Sequence, residues 1–153
     1  MNLTLDANIW VIAQDSSDVR QTACLGVLKK IYSNPGITVC SPYLMEVEVL
    51  ASIARITKGD AEKINKARQW IWSLPYQDWS KLDKYRVKEA SDCAVLYGLR
   101  GADAVYVATA LKNNATLLTY DEDIIKRTPQ KDLTVMKPDD WLKQQGEHHA
   151  SNH

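Results

Sequence analysis

The chain has 153 residues, of which 45% are hydrophobic, and this size and composition predict one globular domain with a single core. It carries 19 basic and 19 acidic residues, so its formal charge is zero and no general electrostatic attraction to nucleic-acid backbones is expected. No apolar stretch approaches the roughly 20 residues that span a bilayer, and the N-terminus lacks a signal-peptide pattern. We therefore expect a cytoplasmic protein with no membrane partner.

The positions of the cysteines and histidines limit the kinds of catalytic and metal site that the chain can form. The three cysteines are far apart in sequence and lie in apolar surroundings, so buried free thiols are expected rather than disulfides or a zinc site. All three histidines fall in the final GEHHASNH stretch, which has no apolar periodicity. It predicts a disordered tail over 146–153 after a single domain over 1–145. Since the body contains no histidine, serine-histidine and cysteine-histidine catalysis are excluded, and carboxylate chemistry remains.

Helical and extended patterns alternate along the chain, which predicts an open α/β sheet with helices on both faces. Proline is expected in the first turn of the third helix, at Pro42, and an interruption is expected near Gly98. The predicted strands cover 1–5, 37–40, 76–79, 116–119 and 133–136. The predicted helices cover 7–13, 19–32, 42–57, 61–74, 84–99, 102–113 and the segment from 138 onward.

Aspartates follow two of the predicted strands. Asp6 comes directly after the first strand, and Asp121 follows the apolar strand that ends near Thr119. In open α/β sheets, ligands bind outside the carboxyl ends of the strands, so both carboxylates would face that crevice. Both positions equally suit helix N-caps, and Glu122 would favour the helix dipole in the first turn. Thr119 could also cap or bind a metal-held water.

Asp103 is the one charge in an otherwise small and apolar helical segment, GADAVYVATA. A buried carboxylate is costly unless a cation or hydrogen bonds compensate it, so this position favours a functional role. A further acid is expected on the helix after the second strand, where Glu46 and Glu48 compete. They point about 200° apart around the helix, so one alone can face the crevice, and we favour Glu48.

Such a set of oxygen ligands suits a hard cation, Mg²⁺ or Mn²⁺. Without a cation, gathered carboxylates would repel one another, and one of them would take up a proton. A metal held in this way can activate water for attack on phosphorus and stabilise the leaving oxygen. The acidic positions therefore indicate a hydrolase of phosphate esters.

Four segments, LDANIW, EVLASIAR, GADAVYVATA and LLTYDEDI, occur in the order and approximate spacing of the acidic motifs of the PIN domain family, and KPDDWL resembles its closing element. The resemblance covers nearly the whole chain, and its length is similar to that of the VapC-type toxin ribonucleases. It implies a three-layer α/β/α sandwich with a mainly parallel sheet. It also implies metal-dependent cleavage of RNA, a homodimer and a cognate antitoxin protein.

Carried over residue by residue, the resemblance implies a catalytic metal site with an accessory acid and two supporting residues. The spacing from Ser41-Pro42 to Glu48 is one residue longer than in the family pattern, so Glu46 is the alternative to Glu48 as the glutamate of the second motif. The implied metal ligands are Asp6, Glu48, Asp103 and Asp121, with Asp123 accessory and with Asn8 and Thr119 in support.

Two arginines near the acidic segments, Arg55 and Arg100, are candidates for contacting RNA phosphates. One alternative function is that of a haloacid-dehalogenase-like phosphatase, in which Asp6 would be the nucleophile. However, Asn8 stands where such enzymes place a second aspartate. A second alternative is a non-catalytic RNA-binding or interaction module whose aspartates only cap helices.

Overall fold

The computed structural model describes residues 1–150, with side chains described for 1–146. Its strands are β1 (Asn2–Leu5), β2 (Thr38–Pro42), β3 (Gln77–Ser80), β4 (Thr116–Leu118) and β5 (Val135–Met136). Its helices are α1 (Ala7–Ala13), α2 (Gln21–Ser33), α3 (Leu44–Ile56), α4 (Ala61–Ser73), α5 (Lys84–Tyr97), α6 (Gly101–Lys112), α7 (Glu122–Arg127) and α8 (Pro138–Ala150). None of the described helices is long and apolar enough to cross a membrane.

The five strands form one sheet in the order β3-β2-β1-β4-β5, and every pairing between neighbours is parallel. In the central strand, Leu3, Thr4 and Leu5 are all fully buried, so both faces of the sheet are covered. Helices flank the sheet on its two faces. This arrangement confirms the predicted α/β/α sandwich with a parallel sheet.

Among the predicted boundaries that differ from the structure are those at Pro42 and at the start of the second helix. Pro42 was expected to open the third helix, but it is the last residue of β2 and pairs with Ser80. A proline is tolerated at a strand end, and the ladder continues through the Tyr43 amide, which donates to the Ser80 carbonyl at 3.1 Å. The second helix begins at Gln21 rather than near Val19, because the preceding turn is held by Asp18.

The sequence predicts an interruption near Gly98 and a tail over 146–153. Gly98 adopts a left-handed conformation (φ 65°) and caps α5, which accounts for the interruption expected there. Helix α8 runs through Ala150 and thus enters the segment predicted as a tail, 146–153. Residues 151–153 of that segment lie outside the described residues.

The tryptophans divide between core and surface. Trp10 and Trp141 are among the largest fully buried side chains, and Trp70 meets Trp10 edge to face at 5.7 Å between ring centroids. Trp72 and Trp79 stack on each other at 4.5 Å, but Trp72 remains 47% exposed. Trp10 and Trp141 are therefore core residues, whereas Trp72 lies at the surface.

Candidate active site

Asp6 lies at the carboxyl end of β1 and is buried, with 8% of its surface exposed. Its carboxylate accepts hydrogen bonds from the Asn8 backbone (3.4 Å), from Asn8 Nδ2 (2.8 Å) and from Thr119 Oγ1 (2.6 Å). Asp6 is thus the N-cap of α1 and also faces the crevice. Burial, partly offset by these hydrogen bonds and reinforced by the negative charges of Glu48 and Asp103, raises its pKa to about 6.

Thr119 joins the ends of the two neighbouring strands β1 and β4. Its fully buried hydroxyl donates to Asp6 and accepts from the backbone amide of Asp121 at 2.9 Å. Asp121 then uses its two oxygens differently. Oδ1 caps α7 by accepting from the Asp123 and Ile124 amides, and Oδ2 accepts from Arg100. Both interpretations of Asp121, as helix cap and as crevice residue, are therefore compatible with the structure.

Asp103 lies in the first turn of α6, with 14% of its side chain exposed. Arg100, the N-cap residue of the same helix, supplies the positive charge that compensates the Asp103 carboxylate. Its Nε donates to Asp103 and its Nη2 donates to Asp121, both at 2.8 Å. In this structure Arg100 therefore bridges two acids of the site and partly compensates their charge.

The structure distinguishes the two competing glutamates. Glu48 lines the same cavity as the three aspartates and accepts a hydrogen bond from the Tyr106 hydroxyl at 2.6 Å. Glu46 lies off the cavity wall and pairs with Arg68 at 3.3 Å. Tyr106 is 1% exposed, and burial raises its pKa well above the usual value, so it stays a donor to Glu48. The geometry therefore favours Glu48 over Glu46.

The four acids converge on one open cavity of about 330 Å³ at the carboxyl edge of the sheet. Nevertheless, within the part of the chain that the structure describes, no three His, Cys, Asp or Glu side chains are close enough to hold a metal together. Mg²⁺ usually keeps several waters and is held by one or two carboxylates, so a cavity lined by these four acids is compatible with a magnesium site. The cavity is lined by Asp6, Ala7, Asn8, Val11, Ile12, Arg20, Glu48, Ser52, Asp103, Tyr120 and Asp121.

The remaining predicted residues lie at different distances from this centre. Asn8 lines the cavity. Asp123 is exposed on α7 and does not line the cavity, and Arg55 is exposed and donates to Ser52 at 3.1 Å. Two cavity features, Arg20 and the Tyr106 contact, were missed from sequence. Tyr106 stands one helical turn after Asp103, and this spacing is the signal that could have indicated it.

A parallel α/β sheet with carboxylates gathered beyond the carboxyl ends of its strands is a class of fold that places its ligand site at that edge. The chain belongs to the PIN domain family, whose model matches residues 3–131. No curated protein matches its sequence.

Solved structures share the fold at low sequence identity. VapBC2 of Rickettsia felis, bound to a DNA fragment from its promoter, is 18% identical, with a TM-score of 0.64 over 90% of this chain and 98% of that one. VapC20 of Mycobacterium tuberculosis, described as a sarcin-ricin-loop-cleaving toxin, is 14% identical, with a TM-score of 0.66 over 81% and 93%. FitAcB of Neisseria gonorrhoeae is 18% identical, with a TM-score of 0.62 over 90% and 98%.

Proposed function

We propose that this chain is a metal-dependent endoribonuclease that hydrolyses RNA phosphodiester bonds. The observation that carries the proposal is the convergence of Asp6, Glu48, Asp103 and Asp121 from four separate segments on one cavity. Membership of the PIN domain family supports a nuclease. The sarcin-ricin-loop-cleaving activity in the name of VapC20 supports RNA as the substrate class.

The donor set fits Mg²⁺ or Mn²⁺, since all four side chains offer hard oxygen ligands. Burial, and to a smaller extent the charges of Glu48 and Asp103, raises the pKa of Asp6, so a bound cation would stabilise its ionised form. When bound at these residues, such a cation would lower the pKa of a bound water and stabilise charge on the leaving oxygen.

The chain's own residues prepare this site. Thr119 and Asn8 fix the carboxylate of Asp6. Tyr106 fixes Glu48 by donating to one oxygen, Oε2, which leaves the other oxygen of the carboxylate for a ligand. Asp6 and Glu48 are therefore oriented by these donors before any substrate arrives, which reduces the cost of reorganisation during the reaction.

The test is cleavage of RNA by the purified chain with added Mg²⁺ or Mn²⁺. We expect cleavage with either ion, none in excess EDTA, and loss of cleavage in Asp6→Asn and Asp103→Asn proteins that keep the far-ultraviolet circular dichroism of the wild type. Undiminished cleavage in EDTA would contradict the metal requirement. Sequencing of RNA ends after brief expression, beside the Asp6→Asn control, would give the cleavage site.

Helix α3 offers a matched pair of variants. Glu48→Gln removes a charge from the cavity wall, whereas Glu46→Gln removes the same charge two residues away, outside the cavity. We expect Glu48→Gln to lower the cleavage rate by at least a hundredfold and Glu46→Gln to stay within about threefold of the wild type. The reverse result would assign the motif to Glu46.

The two alternative functions predict different outcomes. A phosphatase with Asp6 as nucleophile would form a trappable phosphoenzyme, but Asn8 donates its amide to Asp6 and offers no acidic group there. The match to the PIN domain family also speaks against it. For a non-catalytic binding module, RNA binding would survive chelation and Asp103→Asn would change stability alone.

We further propose that the chain is the toxin of a toxin-antitoxin pair and acts in the cytoplasm. The support is the similarity of its fold to VapBC2, which was solved bound to DNA from its promoter, and to FitAcB. Expression of the wild type is expected to arrest bacterial growth, and Asp103→Asn is expected to relieve the arrest. Growth arrest by both proteins would show that toxicity is unrelated to the acidic site.

A homodimer is proposed as well. Exposed apolar side chains on α5, Val95 (86% exposed) and Leu96 (71%), support a surface that another chain covers. Light scattering after gel filtration is expected to give twice the 17.3 kDa of one chain. A mass of one chain at micromolar concentration would contradict the dimer.

A further inference from the structure

We propose that Arg20, in the connection between α1 and α2, is the residue of the cavity that binds a phosphate of the RNA substrate. This inference rests on the proposed function. Among the described residues that line the cavity, Arg20 carries the one basic side chain, and the four acids line the same cavity. An anionic substrate that approaches this cavity needs a positive partner, and Arg20 is in the place to provide it.

The guanidinium of Arg20 is held in a fixed orientation. Its Nε and Nη2 donate to the two oxygens of Asp18 at 2.9 and 2.6 Å, and its carbon Cζ lies 5.0 Å from the centre of the Tyr120 ring. Tyr120 is itself fixed, because its hydroxyl donates to Asp139 at 2.6 Å. Little side-chain entropy is therefore left to lose when a ligand binds.

Donors remain on the guanidinium after these contacts. Within the described residues, Nη1 of Arg20 makes no hydrogen bond, and the side chain is 45% exposed. A guanidinium has five N–H donors in a planar fork, which matches the spacing of phosphate oxygens. Asp18 uses two of the five and does not line the cavity, so its contact orients Arg20 without placing another negative charge on the wall.

Arg20 and Arg100 have different partners, and this difference assigns them different roles. Arg100 donates to Asp103 and Asp121, which are proposed metal ligands, so its charge is already used inside the site. Arg20 is paired with an acid outside the cavity and is stacked on the residue between Thr119 and Asp121. Arg20 is therefore a better phosphate-binding candidate than Arg100 or Arg55, the two arginines predicted from sequence.

The first test measures binding of a fluorescein-labelled single-stranded oligoribonucleotide in EDTA, by anisotropy at several salt concentrations. We expect Arg20→Gln to bind more weakly and to lower the slope of log K against log[salt] by about 0.7, the contribution of one phosphate contact to a single strand. Arg68→Gln is the matched control, because Arg68 is also exposed and paired with an acid, and it does not line the cavity.

The second test separates substrate binding from a structural role. With Mg²⁺, Arg20→Gln is expected to raise KM about three- to tenfold and to leave kcat within about twofold. Asp18→Asn releases Arg20 but keeps its charge, so it should retain the salt slope of the wild type. If Arg20 only anchors the loop, Arg20→Gln and Asp18→Asn will lower the melting temperature equally and leave the slope unchanged.

The two proposals fail in distinguishable ways. An unchanged salt slope and KM in Arg20→Gln, beside normal metal-dependent cleavage by the wild type, would overturn the role of Arg20 alone. Absence of cleavage by the wild type would overturn the nuclease function, while the oligonucleotide titration in EDTA would still report on Arg20. Failure of the wild type to bind the oligoribonucleotide at all would overturn the phosphate contact.

Discussion

Asp6→Asn is expected to gain stability relative to the metal-free wild type as the pH rises. Burial raises the pKa of Asp6 from 3.8 to about 6, so below pH 3.8 both the folded and the unfolded chain carry the proton. As the pH rises towards 6, the unfolded chain ionises first, and the free energy of unfolding falls. A shift of about two units corresponds to about 3 kcal/mol, which is fully lost above the folded pKa.

Asparagine does not titrate in this range, so the stability difference between the variant and the wild type should grow between about pH 4.5 and about pH 7.5. The part of this stability difference that does not vary with pH depends on how the asparagine amide fits the Thr119 and Asn8 donors. The pH dependence of the difference is therefore the quantity that tests the prediction. The assay is urea unfolding in EDTA at both pH values. Asp83→Asn, at another aspartate N-cap in an exposed position, controls for replacing an aspartate cap by an asparagine cap.

A stability difference that stays constant across this pH range would refute the reasoning that burial of Asp6 destabilises its charged form. Added Mg²⁺ provides a second readout at about pH 7.5. The wild type should gain more stability from the ion than Asp6→Asn does, because binding to the folded state alone stabilises it. Equal gains in the two proteins would place the ion elsewhere.

Three further predictions concern Tyr106, Arg100 and Gly98. Tyr106→Phe removes the donor to Glu48, so cleavage should fall about tenfold and Mg²⁺ titration should show weaker binding, whereas unchanged values would make the contact incidental. Arg100→Gln removes a cation from two proposed ligands, so calorimetry should show Mn²⁺ binding about two- to twentyfold tighter; equal or weaker binding would contradict competition. Gly98→Ala introduces a side chain at φ 65°, which should lower the free energy of unfolding by about 1 kcal/mol in urea, and no loss would argue against the left-handed cap.

The order of elements, the parallel α/β class and the acidic segments could be predicted from sequence. Hydrophobic periodicity is a local property, and helix starts are marked by side chains such as Asp60 and Asp83, which cap the helices that follow them. Strand ends were less predictable. Pro42 satisfies a helix rule and a strand-end rule equally, and its pairing with Ser80 decided between them.

Partnerships between distant residues were decided by the tertiary structure. Glu46 and Glu48 compete in the sequence, where the pattern favours Glu48, and the packing of α3 places Glu48 against Tyr106, which is 58 positions away. Arg20 was overlooked because nothing near it in sequence resembles an active-site motif. The sequence alone thus determined which residue types are available for metal chemistry. The fold decided which of them meet, because contacts between side chains far apart in the chain depend on how the sheet and helices pack.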